Sequence, residues 1–104
     1  MEKVLIDAFV VPEESKAAFL GVARDVQLFL KSLPGFVEGF LFEKKEGDTR
    51  YNFLTTAVWR DEAALENARQ AVAAEFQKKG FNPQEIVRRL GIERLRSVCE
   101  RSPY

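Results

Sequence analysis

Two kinds of hydrophobic spacing alternate along the chain. Residues Lys3–Val11 form a β-branched, apolar run closed by Pro12, which is the pattern of a strand. From Glu13 the apolar positions fall three and four apart. Phe19, Val22, Ala23, Val26, Phe29, Leu30 and Leu33 mark one face of a helix. Pro34-Gly35 ends that helix, because proline lacks an amide donor and glycine accepts a left-handed turn. Phe36–Lys45 and Arg50–Trp59 read as the next two strands, with Gly47-Asp48 as a two-residue hairpin turn between them. Asp61 is placed to cap a helix that carries Leu65, Ala68, Val72 and Phe76 on one face and ends at Gly80. Asn82-Pro83-Gln84-Glu85 starts a short helix that closes at Gly91. Ile92–Arg101 is a last strand, and its mixed polarity suits a sheet edge.

This order, β-α-β-β-α-(α)-β, predicts one α+β domain over residues 1–104, a ferredoxin-like antiparallel sheet with helices on one face. With the tight turn, Phe36 lies opposite Trp59, Phe40 opposite Thr55 and Phe42 opposite Phe53, all on one face. Val37 with Val58 and Leu41 with Leu54 occupy the other face, and the first strand is apolar on both sides. A single bulge would exchange these faces and leave both apolar. Two helices cover only one side of four strands. The uncovered side therefore predicts a homodimer formed through the sheet face.

Composition then narrows the chemistry. The chain has 104 residues, 46% hydrophobic and 31% charged, enough to build a core of its own. Its 16 basic residues balance its 16 acidic ones, so nucleic-acid binding is not expected. The basic segment after Ile86 reads as a solvated strand edge. No apolar run is long enough to span a bilayer, the N-terminus is too short and acidic for a signal peptide, and Cys99 stands alone. A cytoplasmic address with no membrane partner is the expectation. Histidine is absent. That removes Ser-His-Asp and Cys-His nucleophiles, His-ligated zinc or iron, and a proximal histidine for haem. No metal and no cofactor are expected, and proton transfer falls to Asp, Glu, Tyr, Lys, substrate or water.

Several residues stand out as candidates. Asp7 interrupts an apolar strand, and a carboxylate among apolar neighbours suits a general base. Its plainer reading is that it reaches a sheet edge, or a partner's arginine across the dimer. Glu38 has the same ambiguity, on the Trp59 face between Phe36 and Phe40. Trp59 is either a wall on which a flat ligand stacks or core filler. Phe36, Phe40 and Phe53 divide between core and pocket lining in the same way. Tyr51 and Thr55 can hydrogen-bond a substrate oxygen.

Two motifs then carry a family resemblance: Pro34-Gly35-Phe36 after the first helix, and Ala57-Val58-Trp59-Arg60-Asp61-Glu62-Ala63-Ala64 joining the third strand to the second long helix. At this spacing the chain resembles the antibiotic biosynthesis monooxygenase domain, over roughly residues 3–76, within the dimeric α+β barrels. The resemblance implies a pocket between sheet and helices, faced by the tryptophan that matches Trp59. It implies either oxygenation of phenols, anthrones or quinols by molecular oxygen without a cofactor, or degradation of haem. The haem-degrading branch uses a histidine on the second helix, which this chain lacks. The oxygenases often place an asparagine on the tryptophan strand, whereas this chain has Thr55 four residues before Trp59 and Asn52 on the other face. The expected function is a cofactor-independent monooxygenase acting on a flat aromatic phenol or quinol. The alternatives are a non-catalytic barrel binding a small hydrophobic ligand, and an isomerase or decarboxylase on the same scaffold.

Overall fold

The computed structural model describes residues 1–104. Its elements are β1 (Lys3–Val10), a 3₁₀ turn at Glu13–Ser15, α1 (Lys16–Leu30), β2 (Phe36–Glu43), β3 (Phe53–Trp59), α2 (Glu62–Lys78), α3 (Pro83–Arg89) and β4 (Glu93–Cys99). The four strands form one sheet in the order β2-β3-β1-β4, every neighbour antiparallel. This is the ferredoxin-like arrangement predicted from the element order. The Cα frame measures 39 × 38 × 17 Å, a slab of one sheet and one layer of helices.

Local chemistry sets the element ends. Asp61 Oδ1 accepts from Ala64 N at 2.8 Å and caps α2. Asn82 Oδ1 accepts from Gln84 N at 3.0 Å and caps α3, with Pro83 at its first position. Ser15 does not cap α1. It is buried, and its hydroxyl donates to Leu90 O at 2.6 Å, tying the start of α1 to the end of α3.

Two expectations of register are corrected. The β2–β3 connection is not a two-residue turn at Gly47-Asp48, because β2 stops at Glu43 and β3 starts at Phe53. Asn52 explains the late start of β3. Its side chain accepts from Val11 N at 2.9 Å and donates to Val11 O at 2.8 Å, pinning the loop to the end of β1. The second correction concerns faces. Phe36 does pair with Trp59, but the register shifts between Phe36 and Glu38, so Phe40 meets Thr56 and Phe42 meets Leu54. The extra residue of that bulge is Val37, and it turns the rest of β2 over. Glu38, Phe40 and Phe42 therefore lie on the face away from the helices, and Gly39 and Leu41 face inward.

The core beneath the helices is divided. One cluster gathers Leu30, Ala57, Trp59, Ala64, Leu65 and Ala68; the other gathers Val11, Phe19, Phe53 and Ile92. The first depends on a close approach. Gly35 sits at φ +80°, its carbonyl accepts from Arg60 N at 2.8 Å, and a Cβ added to it would lie 2.4 Å from Ala64 Cβ. The two sequence motifs are thus one contact in space. Gly35→Ala adds a methyl to a filled contact in a left-handed conformation, and should cost ~2–4 kcal/mol. Urea denaturation measures this, and a loss below ~0.5 kcal/mol, the range of an ordinary surface substitution, would show that the contact relaxes freely.

Candidate active site

A cavity of about 440 Å³ lies between the sheet and the helices, and both core clusters contribute to its walls. Its floor is the inward face of three strands: Leu5, Asp7 and Phe9 of β1, Thr55, Ala57 and Trp59 of β3, and Arg94 and Arg96 of β4. Helix α1 contributes Val22, Val26 and Gln27, and α2 contributes Leu65, Ala68, Arg69 and Val72. Most of the lining is apolar, and its polar groups come both from the sheet (Asp7, Thr55, Arg94, Arg96) and from the helical side (Gln27, Arg69, Asn82, Gln84). A smaller recess of about 160 Å³ between α1, α2 and α3 shares Val22, Val26, Val72, Phe76, Ile86 and Leu90 with it.

At mid-floor three polar residues stand abreast. Asp7 pairs with Thr55 on one side and Arg96 on the other. Arg96 donates to Asp7 through Nε to Oδ1 at 2.8 Å and through Nη2 to Oδ2 at 3.0 Å, a two-pronged charge-assisted pair. Asp7 is only 6% exposed. The hydrogen bond that Arg96 donates to Asp7 raises the pKa of Arg96 above its ordinary value despite partial burial, and the Asp7 charge adds to this. Arg94, two residues away on the same face, has its pKa lowered, first by burial and then by the charge of Arg96, with Asp7 opposing. Arg94 makes no ion pair within the chain, whereas Arg69 lies 3.6 Å from Glu66.

Trp59 closes the other end. It is wholly buried, Phe36 meets its ring edge-on at a centroid distance of 5.5 Å, and its indole N–H finds no acceptor in the chain. Trp59 pairs with Lys3 and Arg94 with Phe9, six residues apart along β1. At ~3.3 Å per residue the two ends stand roughly 20 Å apart along the strand.

Of the residues singled out in the sequence, Asp7, Thr55 and Trp59 line this cavity. Phe36 supports Trp59 from behind, and Phe53 packs against Phe19 in the core at 4.9 Å. Tyr51 lies in the loop before β3 with the Lys44 ammonium 5.9 Å from its ring centroid. Glu38 and Phe40 are on the outer face, so the expectation that they share the Trp59 face does not hold. Arg94, Arg96, Arg69 and Gln27 were missed. Ile92, Arg94 and Arg96 alternate in phase on the last strand, and setting that phase against Phe9 and Asp7 on the first would have exposed the arginines. No group of three or more His, Cys, Asp or Glu residues is placed to hold a metal ion, and no helix is long and apolar enough to cross a membrane.

Comparison with the curated proteins finds no match by sequence. Among solved structures, a protein from Shewanella loihica PV-4, provisionally assigned as a monooxygenase, aligns with a TM-score of 0.75 at 19% identity, over 99% of this chain and 96% of that one. SnoaB, a cofactor-independent oxygenase from Streptomyces nogalater, aligns at 0.71 with 23% identity, over 99% of this chain and 95% of SnoaB. A heme-degrading protein from Mycobacterium tuberculosis aligns at 0.58 with 19% identity, over 66% of this chain and 78% of that one. At these identities the likeness establishes the fold. The family model for antibiotic biosynthesis monooxygenase matches residues 4–78, from β1 through α2. That span includes both the Gly35 turn and the Ala64 helix that packs on it, and the chain belongs to the antibiotic biosynthesis monooxygenase family.

Proposed function

We propose that this protein is a cofactor-independent monooxygenase for a flat phenol- or quinol-type substrate held between sheet and helices. The observation that carries this reading is the cavity of about 440 Å³, mainly apolar, with Asp7, Thr55 and Arg96 abreast on its floor. Its volume falls in the range of small-molecule sites. Family membership and the SnoaB-like fold support oxygenase chemistry.

An electron-rich ring can reduce oxygen itself once deprotonated. In an anthrone-type substrate, loss of a ring C–H proton gives an enolate, which passes one electron to oxygen. The radical and superoxide combine to form a C–O bond, and protonation gives a hydroperoxide. Loss of water from it, taking the second C–H proton, leaves a carbonyl. The protein's share is orientation, a dry site and stabilisation of the anion. Asp7 is the one carboxylate in the cavity lining, so a base drawn from the protein falls to it. Arg96 stands beside it where negative charge would develop, Thr55 offers a hydroxyl, and Trp59 walls the apolar end. A second reading has its own support: Arg96 occupies both oxygens of Asp7, which favours a ligand-binding role over base catalysis.

Oxygen uptake with anthrone and hydroquinone substrates, without added cofactor, separates these readings. If Asp7 takes the proton, Asp7→Asn should lose ~10²–10⁴-fold in turnover while staying folded. Trp59→Phe retains most of the ring volume and should weaken ligand binding more than it alters the fold. No oxygen uptake across the panel, together with saturable quenching of Trp59 by aromatic ligands, would replace the enzyme with the binding protein.

The assembly proposed is a homodimer through the outer sheet face. Ile6, Val10, Phe40, Phe42, Leu54 and Leu95 point to that side, away from the helices. Phe40, Phe42 and Leu95 are 51%, 49% and 58% exposed, more apolar surface than a monomer usually leaves open. Light scattering at micromolar concentration should give twice the 11.9 kDa chain mass. Phe40→Glu should raise the dimer dissociation constant by at least ~10-fold, since it would bury an unpaired charge. A wild-type monomer would sink the proposal.

A further inference from the structure

We propose that the β4 side of the cavity is an anion-receiving subsite, in which Arg94 takes the carboxylate of an apolar, ring-bearing ligand. This rests on the cavity being the ligand site and goes further by naming what the ligand carries.

The charge of the lining is lopsided. Asp7, Arg69, Arg94 and Arg96 are its charged members, three cations to one anion. The single carboxylate is committed, since both of its oxygens accept from Arg96. Arg69 has Glu66 within 3.6 Å on its own helix. Arg94 is left without a counter-charge. Arg94 lines the cavity from its solvent-open edge; partial burial and the charge of Arg96 work against its ionised form, with Asp7 opposing.

Charge on an edge strand also discourages stray pairing, and Arg94 could serve that end from either face. Its actual face is the inner one, in phase with Ile92 and Arg96 and opposite Phe9. A guanidinium fork matches a carboxylate in shape as well as charge. The apolar walls between Arg94 and the distant Trp59 then suit a ligand whose rings extend away from its acidic end.

The test compares anthracene-2-carboxylate with its uncharged carboxamide by isothermal titration calorimetry on the full chain. The carboxylate should bind ~10–100-fold more tightly, as expected for a hydrogen bond to a charged group, and the advantage should shrink as salt is raised. Arg94→Gln should erase the advantage and leave amide affinity within ~2-fold, a surface-sized change. Arg94→Lys keeps the charge without the fork and should retain part of it. Arg101→Gln, on a residue that does not line the cavity, should change nothing. Equal affinities for acid and amide, an equal loss of both in Arg94→Gln, or loss of the preference in Arg101→Gln would each overturn the subsite. Amide binding without a preference for the acid leaves the cavity reading standing, whereas binding of neither compound removes both.

Discussion

The contact between Gly35 and Ala64 sets the geometry on which the site depends. A Cβ at position 35 would overlap the Cβ of Ala64, and the absence of one lets the α1–β2 turn press against the start of α2. The Gly35 carbonyl then accepts the Arg60 amide, which fixes the exit of β3 one residue after Trp59. Trp59 is thereby buried with Leu30, Leu65 and Ala68, and one end of the cavity gains a rigid wall. The Asp61 cap that follows directs α2 back over the sheet. Motifs that look separate in sequence mark the two sides of this one packing contact.

A divided core is the second consequence. The helices pack tightly near Trp59 and again near Phe19, Phe53 and Ile92, and between these clusters the layers enclose space. A close-packed interior would leave no such volume. A ligand filling that space would make dispersion contacts with its apolar walls. The polar row Thr55–Asp7–Arg96 crosses the sheet at this gap, where it interrupts the least apolar packing. Stability is held at the two ends, and chemistry is available in the middle.

The bulge at Val37 separates the two faces by role. It keeps Phe36 against Trp59 and sends Glu38, Phe40 and Phe42 outward. Without that extra residue, Glu38 and Phe40 would turn to the helix side of the sheet and Leu41 to the outer face. The outer face is apolar in either register, because Ile6, Val10, Leu54 and Leu95 lie on strands the bulge does not touch; the bulge adds Phe40 and Phe42 to it.

Periodicity and capping residues were enough to determine the element order, the helix starts at Asp61 and Asn82, and the ferredoxin-like sheet, because each depends on local backbone preference. The absence of histidine likewise restricted the chemistry directly. Asp7, Thr55 and Trp59 were legible as candidates because a polar residue or a tryptophan in an apolar strand is visible one residue at a time. Register was not legible. A one-residue bulge costs little locally, yet it reverses every side chain beyond it, so Glu38 and Phe40 could not be placed. The arginines of β4 were hidden for a related reason: 89 residues separate Asp7 from Arg96, and their pairing exists only once the sheet has brought the last strand beside the first. Sequence alone determined which elements form, since those choices are local; the tertiary structure decided which side chains share the cavity, since strand register depends on contacts between distant parts of the chain.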